Sequence, residues 1–326
     1  MGIYRLILAV LVAIGHMGIM FFGVDLGYGV VAVVSFFIIS GFVMTALIDK
    51  NYAEISRIPA FLADRAMRIY PQFIFYMVLS SILICTMLAD SPVRDAVSST
   101  NLLSTVAIFP LGFFMFGMSD PNIIPQAWSL GLEMCFYLLI PFILIYKARL
   151  VLFYASVAVA ILAFFGYLHS DFYGYRLLPG VLFIFLCGSF IKRGSVAEHF
   201  AVFFAWGLAV AGCVLVATGS AQWLPYNVQV AAGIVIGIPM IILLSKLPYH
   251  KADEVMGNIS YGVFLNHFLM IYTGKAFGVT TISPALAAIY VALAFALSGV
   301  SYYLVERPVL AWRKTLRARS APPVRV

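Results

Sequence analysis

The stretch Gly27-Tyr28-Gly29-Val30-Val31-Ala32-Val33-Val34-Ser35-Phe36-Phe37-Ile38-Ile39-Ser40-Gly41-Phe42-Val43-Met44-Thr45-Ala46-Leu47-Ile48 runs for 22 residues without a charge. At 1.5 Å rise per residue, a helix of that length covers about 33 Å, enough to cross ~30 Å of hydrocarbon. The rest of the chain repeats the pattern. Of 326 residues, 63% are hydrophobic and 10% are charged, whereas a soluble domain is roughly half apolar and a quarter charged. With 20 Lys and Arg and 13 Asp and Glu, the chain lacks the polar surface that a water-facing fold of this size requires. A soluble globular fold is excluded, and the sequence predicts an all-α polytopic integral membrane bundle.

Eleven apolar segments emerge: Ile3 to Phe22, Gly27 to Ile48, Pro71 to Ala89, Asn101 to Gly117, Gln126 to Tyr146, Leu150 to Leu168, Leu178 to Ile191, His199 to Thr218, Asn227 to Ser245, Gly257 to Gly274 and Pro284 to Val305. The fourth is short, carries Pro110, Gly112 and Gly117, and runs into Ser119-Asp120-Pro121-Asn122. Breakers at that density fit a re-entrant or interfacial piece over 101–117 rather than a crossing. Leaving it out gives ten transmembrane helices with both termini cytoplasmic. The cytoplasmic side then holds seventeen of the 20 Lys and Arg, and the outer side only Arg94, Arg176 and Lys275. Counting 101–117 as a crossing would reverse everything after it, against the positive-inside rule.

The net charge of +7 is spread over the ends of apolar runs and forms no patch interleaved with aromatics, so no nucleic-acid partner is expected. Cys85, Cys135, Cys187 and Cys213 lie in apolar segments without metal-ligand spacing, so neither a metal nor a disulfide is expected. No cleavage site follows the first apolar run, which is read as a span rather than a signal peptide. No internal repeat or linker is visible. The chain reads as one transmembrane domain over 1–319, followed by a short basic cytoplasmic tail at 320–326.

Ionisable groups inside a membrane are costly, so each is a candidate functional residue. His16, Glu133 and His267 are the three expected within spans. Arg5 and His16 are eleven residues apart, about 20° around a helix and ~16 Å along it, and so share one face. His16 and Glu133 both fall roughly 10 Å below the outer surface on this topology, with His267 at ~12 Å. The outer half of the bundle is therefore expected to bring two imidazoles and a carboxylate together, a group suited to acid/base work on a hydroxyl. On the cytoplasmic side Arg57, Arg65 and Arg68 fall in the loop before Pro71, where guanidiniums can hold phosphates bidentately. No Walker A loop or GxGxxG is present. Plainer readings remain for several residues: a snorkelling anchor for Arg5, ordinary inside charges for Arg65 and Arg68, an interfacial belt residue for Trp128, and an ion pair and helix terminator for Glu306-Arg307-Pro308.

Six elements in order carry a family resemblance: Arg5 with His16; Ser35 to Phe42; Arg65-x-x-Arg68 with Ile69-Tyr70-Pro71; Trp128-Ser129-Leu130 with Glu133 and Phe136-Tyr137; Ile259-Ser260-Tyr261 with Phe264-Leu265 and His267; and Glu306-Arg307-Pro308. Together they resemble the membrane acyltransferase-3 family, which modifies bacterial surface and exported glycans. The resemblance implies an enzyme of the inner membrane that moves an acyl group, most simply acetyl, from cytosolic acyl-CoA to a hydroxyl of a glycan or lipid-linked glycan. Acyl-CoA would be a co-substrate, with no bound cofactor. It further implies His16 as the catalytic histidine with Arg5 as its partner in the same motif, and Arg65 and Arg68 on the CoA side; matched depth adds Glu133 as the group assisting His16, and Arg5 is also a candidate contact for the CoA phosphates. Trp128, Ser129, Tyr261 and His267 would bind the acceptor or support the site. Two other readings compete: a secondary transporter with a His16/Glu133/His267 proton relay, and a noncatalytic partner in glycan export.

Overall fold

A computed structural model describes residues 1–20, 27–120, 123–248 and 250–320, with side chains described through residue 313. The expected end of the first span at Phe22, the breakers Pro121-Asn122 and residues 321–326 of the expected tail fall outside the described residues.

The described residues form twelve α-helices: α1 Gly2–His16, α2 Tyr28–Asn51, α3 Ile58–Met87, α4 Ser99–Ala107, α5 Trp128–Ile145, α6 Arg149–Phe164, α7 Leu178–Lys192, α8 Val196–Ala217, α9 Asn227–Ser245, α10 Lys251–Ala276, α11 Pro284–Ser301 and α12 Arg307–Ser320. No strand is present among the described residues. Side-chain contacts sort the helix ends into two sets. At one end the start of α1 meets the start of α10 through Asp253. There too Asp64 of α3 meets Arg313 of α12, and Asp49 of α2 meets Arg193 just past α7. At the other end Tyr272 of α10 packs on Ile84 and Leu88 where α3 ends, and Met17 packs on Ala287 at the start of α11. The consecutive helices α1, α2 and α3, and again α10 and α11, therefore alternate in direction, while α1 runs parallel to α10 and α2 parallel to α7.

Among the described residues seven helical stretches are long and apolar enough to cross a membrane, those of α2, α3, α5, α7 (21 residues when joined to the π-helical turn Phe172–Arg176 before it), α8, α9 and α11, or eight if α4 and the 3-10 segment Phe109–Phe116 count as one. That last pair bends by 119° at its joint, where Ile108 adopts φ 60°, in keeping with a re-entrant piece over 101–117. The protein is a multi-pass membrane protein, but the expected ten spans are not reached on this measure. α1 and α6 are too short, at 15 and 16 residues. α10 has the length but is less apolar, since it carries Lys251, Asp253, Glu254 and Lys275 near its ends and Ser260, Asn266 and His267 among its buried residues, where they face protein rather than lipid.

α1 stops at His16, six residues before the expected Phe22. Gly18 takes φ 71°, and the Ile19 N–H returns to the Ile14 carbonyl. This is the glycine-terminated end that only a residue without a Cβ adopts readily. His16 is thus a terminal residue of its helix rather than one buried a turn and a half deep.

The core is densest where α2 crosses α7. A methyl group added to Gly41 would stand 1.7 Å from the Phe185 carbonyl oxygen, and one added to Gly188 would stand 1.9 Å from that of Ile38. Two backbones meet here with no room for a side chain, as small residues allow in membrane helix pairs. Gly41→Ala is therefore expected to separate α2 from α7 and cost about 1–3 kcal/mol or more. Gly299→Ala meets no neighbouring atom within 4 Å and serves as the control. The check is the midpoint of thermal aggregation of each variant in detergent.

Candidate active site

A cavity of about 330 Å³ opens between α2, α3, α5, α10 and α12. Its charged lining is Arg5, Arg65, Arg68 and Arg313 with one carboxylate, Glu133. Along α2 it reaches from Leu47 to Val33, fourteen residues or about 21 Å of helix. Ser129, Ser260 and Tyr261 also line it, so six of the nine expected site residues, Glu133 included, converge on one space. Trp128, His16 and His267 do not line it.

The guanidiniums reach the cavity from a scaffold of buried acids. Arg65 and Arg68 lie inside α3, not in the loop expected before Pro71, because Pro71 sits within the helix without ending it. Asp64, 1% exposed, accepts from Arg65 Nη2 at 2.5 Å and faces Arg313 Nε at 3.6 Å. Glu306, 0% exposed, pairs with Arg68 across two helices. Its partner is therefore not the adjacent Arg307, as a local ion pair would have it. Arg68 also lies 5.3 Å over the Tyr261 ring, and the Tyr261 hydroxyl donates to the Ile69 carbonyl at 3.0 Å. Arg5 has no hydrogen-bonded or ion-paired side-chain partner among the described residues. Charges so held cost little further ordering when an anion arrives.

α1 is registered on α10 by Asp253, whose two carboxylate oxygens accept the backbone N–H groups of Gly2 and Ile3 at 2.8 and 2.9 Å. A carboxylate at a helix N-terminus meets both the free donors and the positive dipole end. The two helices then run parallel, so Arg5 faces the cavity at one end of α1 while His16 meets α10 at the other.

There His16 Nδ1 lies 3.0 Å from His267 Nε2, and the rings stack at 5.1 Å with 5° between planes. His267 is fully buried, and His16 is exposed. The expected meeting of the two imidazoles occurs, but Glu133 is not with them. The Glu133 carboxylate instead accepts from Ser40 Oγ and from the Tyr137 hydroxyl, both at 2.6 Å on Oε1, inside the cavity. The early end of α1 removes the equal depth on which the His16–Glu133 pairing depended. A relay through all three residues thereby loses its geometry.

Trp128 is 8% exposed rather than a lipid-facing belt residue. Its ring is covered by the Arg176 guanidinium at 4.6 Å and by Tyr175 at 5.0 Å, while Arg176 Nε pairs with Asp171 at 2.5 Å. Ser129 donates to the Gln126 carbonyl at 3.0 Å. Gln126 in turn donates from Nε2 to the Phe264 and Leu265 carbonyls at 2.9 and 2.7 Å, which ties the start of α5 to the turn of α10 that carries His267. Sequence reasoning gave no site role to Arg313, Asp64 or Arg176, and quoted Ser40 and Tyr137 only inside longer motifs. Asp64 had a signal in its adjacency to Arg65. Arg313 had none, since it is one of several basic residues after the last span. Among the described residues no three His, Cys, Asp or Glu cluster as metal ligands.

A mostly helical membrane bundle with a basic cavity below a histidine pair narrows the class, and comparison with known proteins defines it. Residues 3–303 match the acyltransferase 3 family, described as an acyltransferase domain; the chain belongs to that family and is a membrane-bound acyltransferase. It is also 31% identical over 189 residues to a protein of Aquifex aeolicus (strain VF5) described as uncharacterized, a match covering 56% of this chain and 84% of that one. No solved structure matches.

Removing Glu306 leaves Arg68 buried without its acid. Glu306→Gln is expected to cost about 3–5 kcal/mol of stability, as stranded buried charges do. Glu54→Gln, at an exposed position, should stay within about 0.5 kcal/mol. Thermal inactivation in detergent separates the two.

Proposed function

We propose that the protein transfers an acyl group, acetyl in the first instance, from cytosolic acyl-CoA to a hydroxyl of a cell-surface or exported glycan such as an O-antigen or exopolysaccharide. The acceptor is presented free or lipid-linked at the outer face of the bacterial inner membrane, and both termini lie in the cytoplasm. The observation that carries this reading is the set of four guanidiniums lining one cavity, among them Arg5, which has no side-chain partner among the described residues and shares its helix with His16. A nucleotide-bearing thioester has the matching chemistry: phosphates at one end, a long narrow arm, and a reactive carbonyl at the other.

On this reading Arg5, Arg65, Arg68 and Arg313 hold the phosphates of the donor. Glu133, with one oxygen occupied by Ser40 and Tyr137, offers its other oxygen to the amide N–H groups of the pantetheine arm. This role replaces direct assistance to His16. His16 donates its Nδ1 proton to His267 Nε2, which leaves the lone pair of Nε2 available as a base. The acceptor hydroxyl gives its proton to Nε2 as its oxygen attacks the thioester carbonyl. The C–S bond then breaks, the imidazolium returns the proton to the leaving thiolate, and the products are an ester and free CoA. His267 positions the base, Trp128 and Arg176 wall the acceptor side, and Ser129 and Tyr261 support the cavity.

The test is transfer of label from radiolabelled acetyl-CoA to glycan in inverted membrane vesicles. His16→Ala should lower turnover by about 10²–10⁴-fold, the usual contribution of a general base, with normal insertion. Arg65→Ala/Arg68→Ala should raise the KM for acetyl-CoA more than it lowers kcat. Undiminished transfer by the His16 variant would overturn the assignment.

A further inference from the structure

The histidine pair does not itself line the basic cavity, but Phe36 of α2 and Phe264 of α10 do. The two rings meet edge to face at 6.3 Å. Phe264 in turn stands edge-on to His267, with centroids 6.2 Å apart and 63° between planes. Phe268 packs on both histidines, at 4.9 and 5.0 Å, but it leads toward Tyr272 at 5.9 Å and does not line the cavity. Phe264 is therefore the side chain that touches both compartments, with Phe36 behind it.

We propose that Phe264, backed by Phe36, is the wall that sets the length of acyl chain this enzyme transfers. The inference rests on the cavity being the donor site. With the phosphates on the arginines, the thioester carbonyl must come within about 3–3.5 Å of the attacking oxygen beside His16. The acyl group hanging from that carbon then occupies what space remains against the two rings. An acetyl group adds one methyl there. Each further methylene has to be fitted into a packed interior, where added volume is resisted. The turn that carries Phe264 does not yield easily, because Gln126 holds its carbonyl and that of Leu265. Discrimination by chain length thus falls on the ring itself, and replacing it by a smaller side chain admits longer donors.

The experiment uses the full chain in inverted vesicles with acetyl-, propionyl-, butyryl- and hexanoyl-CoA, comparing Phe264→Ala, Phe264→Leu and Phe36→Ala. Free CoA serves as a competing probe of the donor site. The ratio of kcat/KM for butyryl- over acetyl-CoA is expected to rise about tenfold or more in Phe264→Ala, the low end of what methylene-level fit is worth in a pocket. A smaller rise is expected in Phe264→Leu, and inhibition by free CoA should stay unchanged. Phe200→Ala, at a side chain 69% exposed, should leave the ratio as it is. An unaltered ratio in a Phe264→Ala protein still inhibited by CoA overturns the proposal, as does an equal rise in Phe200→Ala. If Phe264→Ala does not fold, Phe36→Ala and Phe264→Leu decide the same ratio. A natural protein that consumes no CoA ester would bring down the donor reading and this inference with it. Acetyl transfer with unchanged selectivity in the variants brings down this inference alone.

Discussion

A guanidinium inside an apolar bundle must be given an acid, an aromatic face, or a reason to stay open, and the positions of the arginines follow that constraint. Asp64 lies between Arg65 and Arg313, Glu306 reaches Arg68 from beyond α11, and Tyr261 lies under Arg68. These contacts draw α3, α10 and α12 around one space. The pairs also hold the donors in place while leaving guanidinium N–H groups for a ligand. Replacing such buried pairs with hydrophobic residues often stabilises a protein. Their presence here is better accounted for by what they prearrange than by what they add to the fold.

Alignment of the two ends of the site depends on α1 and α10 lying parallel and in register. Asp253 fixes the register at one end by capping α1, and the stacked histidines meet at the other. Between them, helical geometry sets about 16 Å from Arg5 to His16 along a single face. A slip of one residue would turn His16 through about 100° and part it from His267.

The outline of the fold was legible because membrane solvation acts on composition. Apolar runs located the long helices, and the density of breakers marked 101–117 as bent. Helix ends were harder. The stop at Gly18 depends on a left-handed glycine three residues after Gly15, whereas hydropathy favoured carrying the helix on to Phe22. Pro71 misled in the opposite sense, since proline was read as the beginning of a helix that in fact starts at Ile58. Within the site, the Arg5/His16 periodicity and the Arg65-x-x-Arg68 spacing placed three residues on consistent faces. Glu133 was assigned by depth alone, and depth fails when one helix end is misplaced by six residues. Arg313 and the Glu306–Arg68 pair are contacts between segments more than 200 residues apart, and no local pattern encodes them.

On the donor reading, the aromatic partition also answers a problem that any enzyme acting across a bilayer faces. A water-filled path from the arginines to the outer surface would conduct protons and ions, and polar groups lining it throughout would keep it wet. Here two phenylalanine rings of the lining meet edge to face, one of them edge-on to His267, and His16 Nδ1 lies 3.0 Å from His267 Nε2. The bulky charged end of the donor is held back by its phosphates, so only the narrow arm and its acyl group extend toward His16. On that reading the rings that limit the acyl group also keep the lining apolar next to the histidine pair, where a continuous polar path would conduct protons.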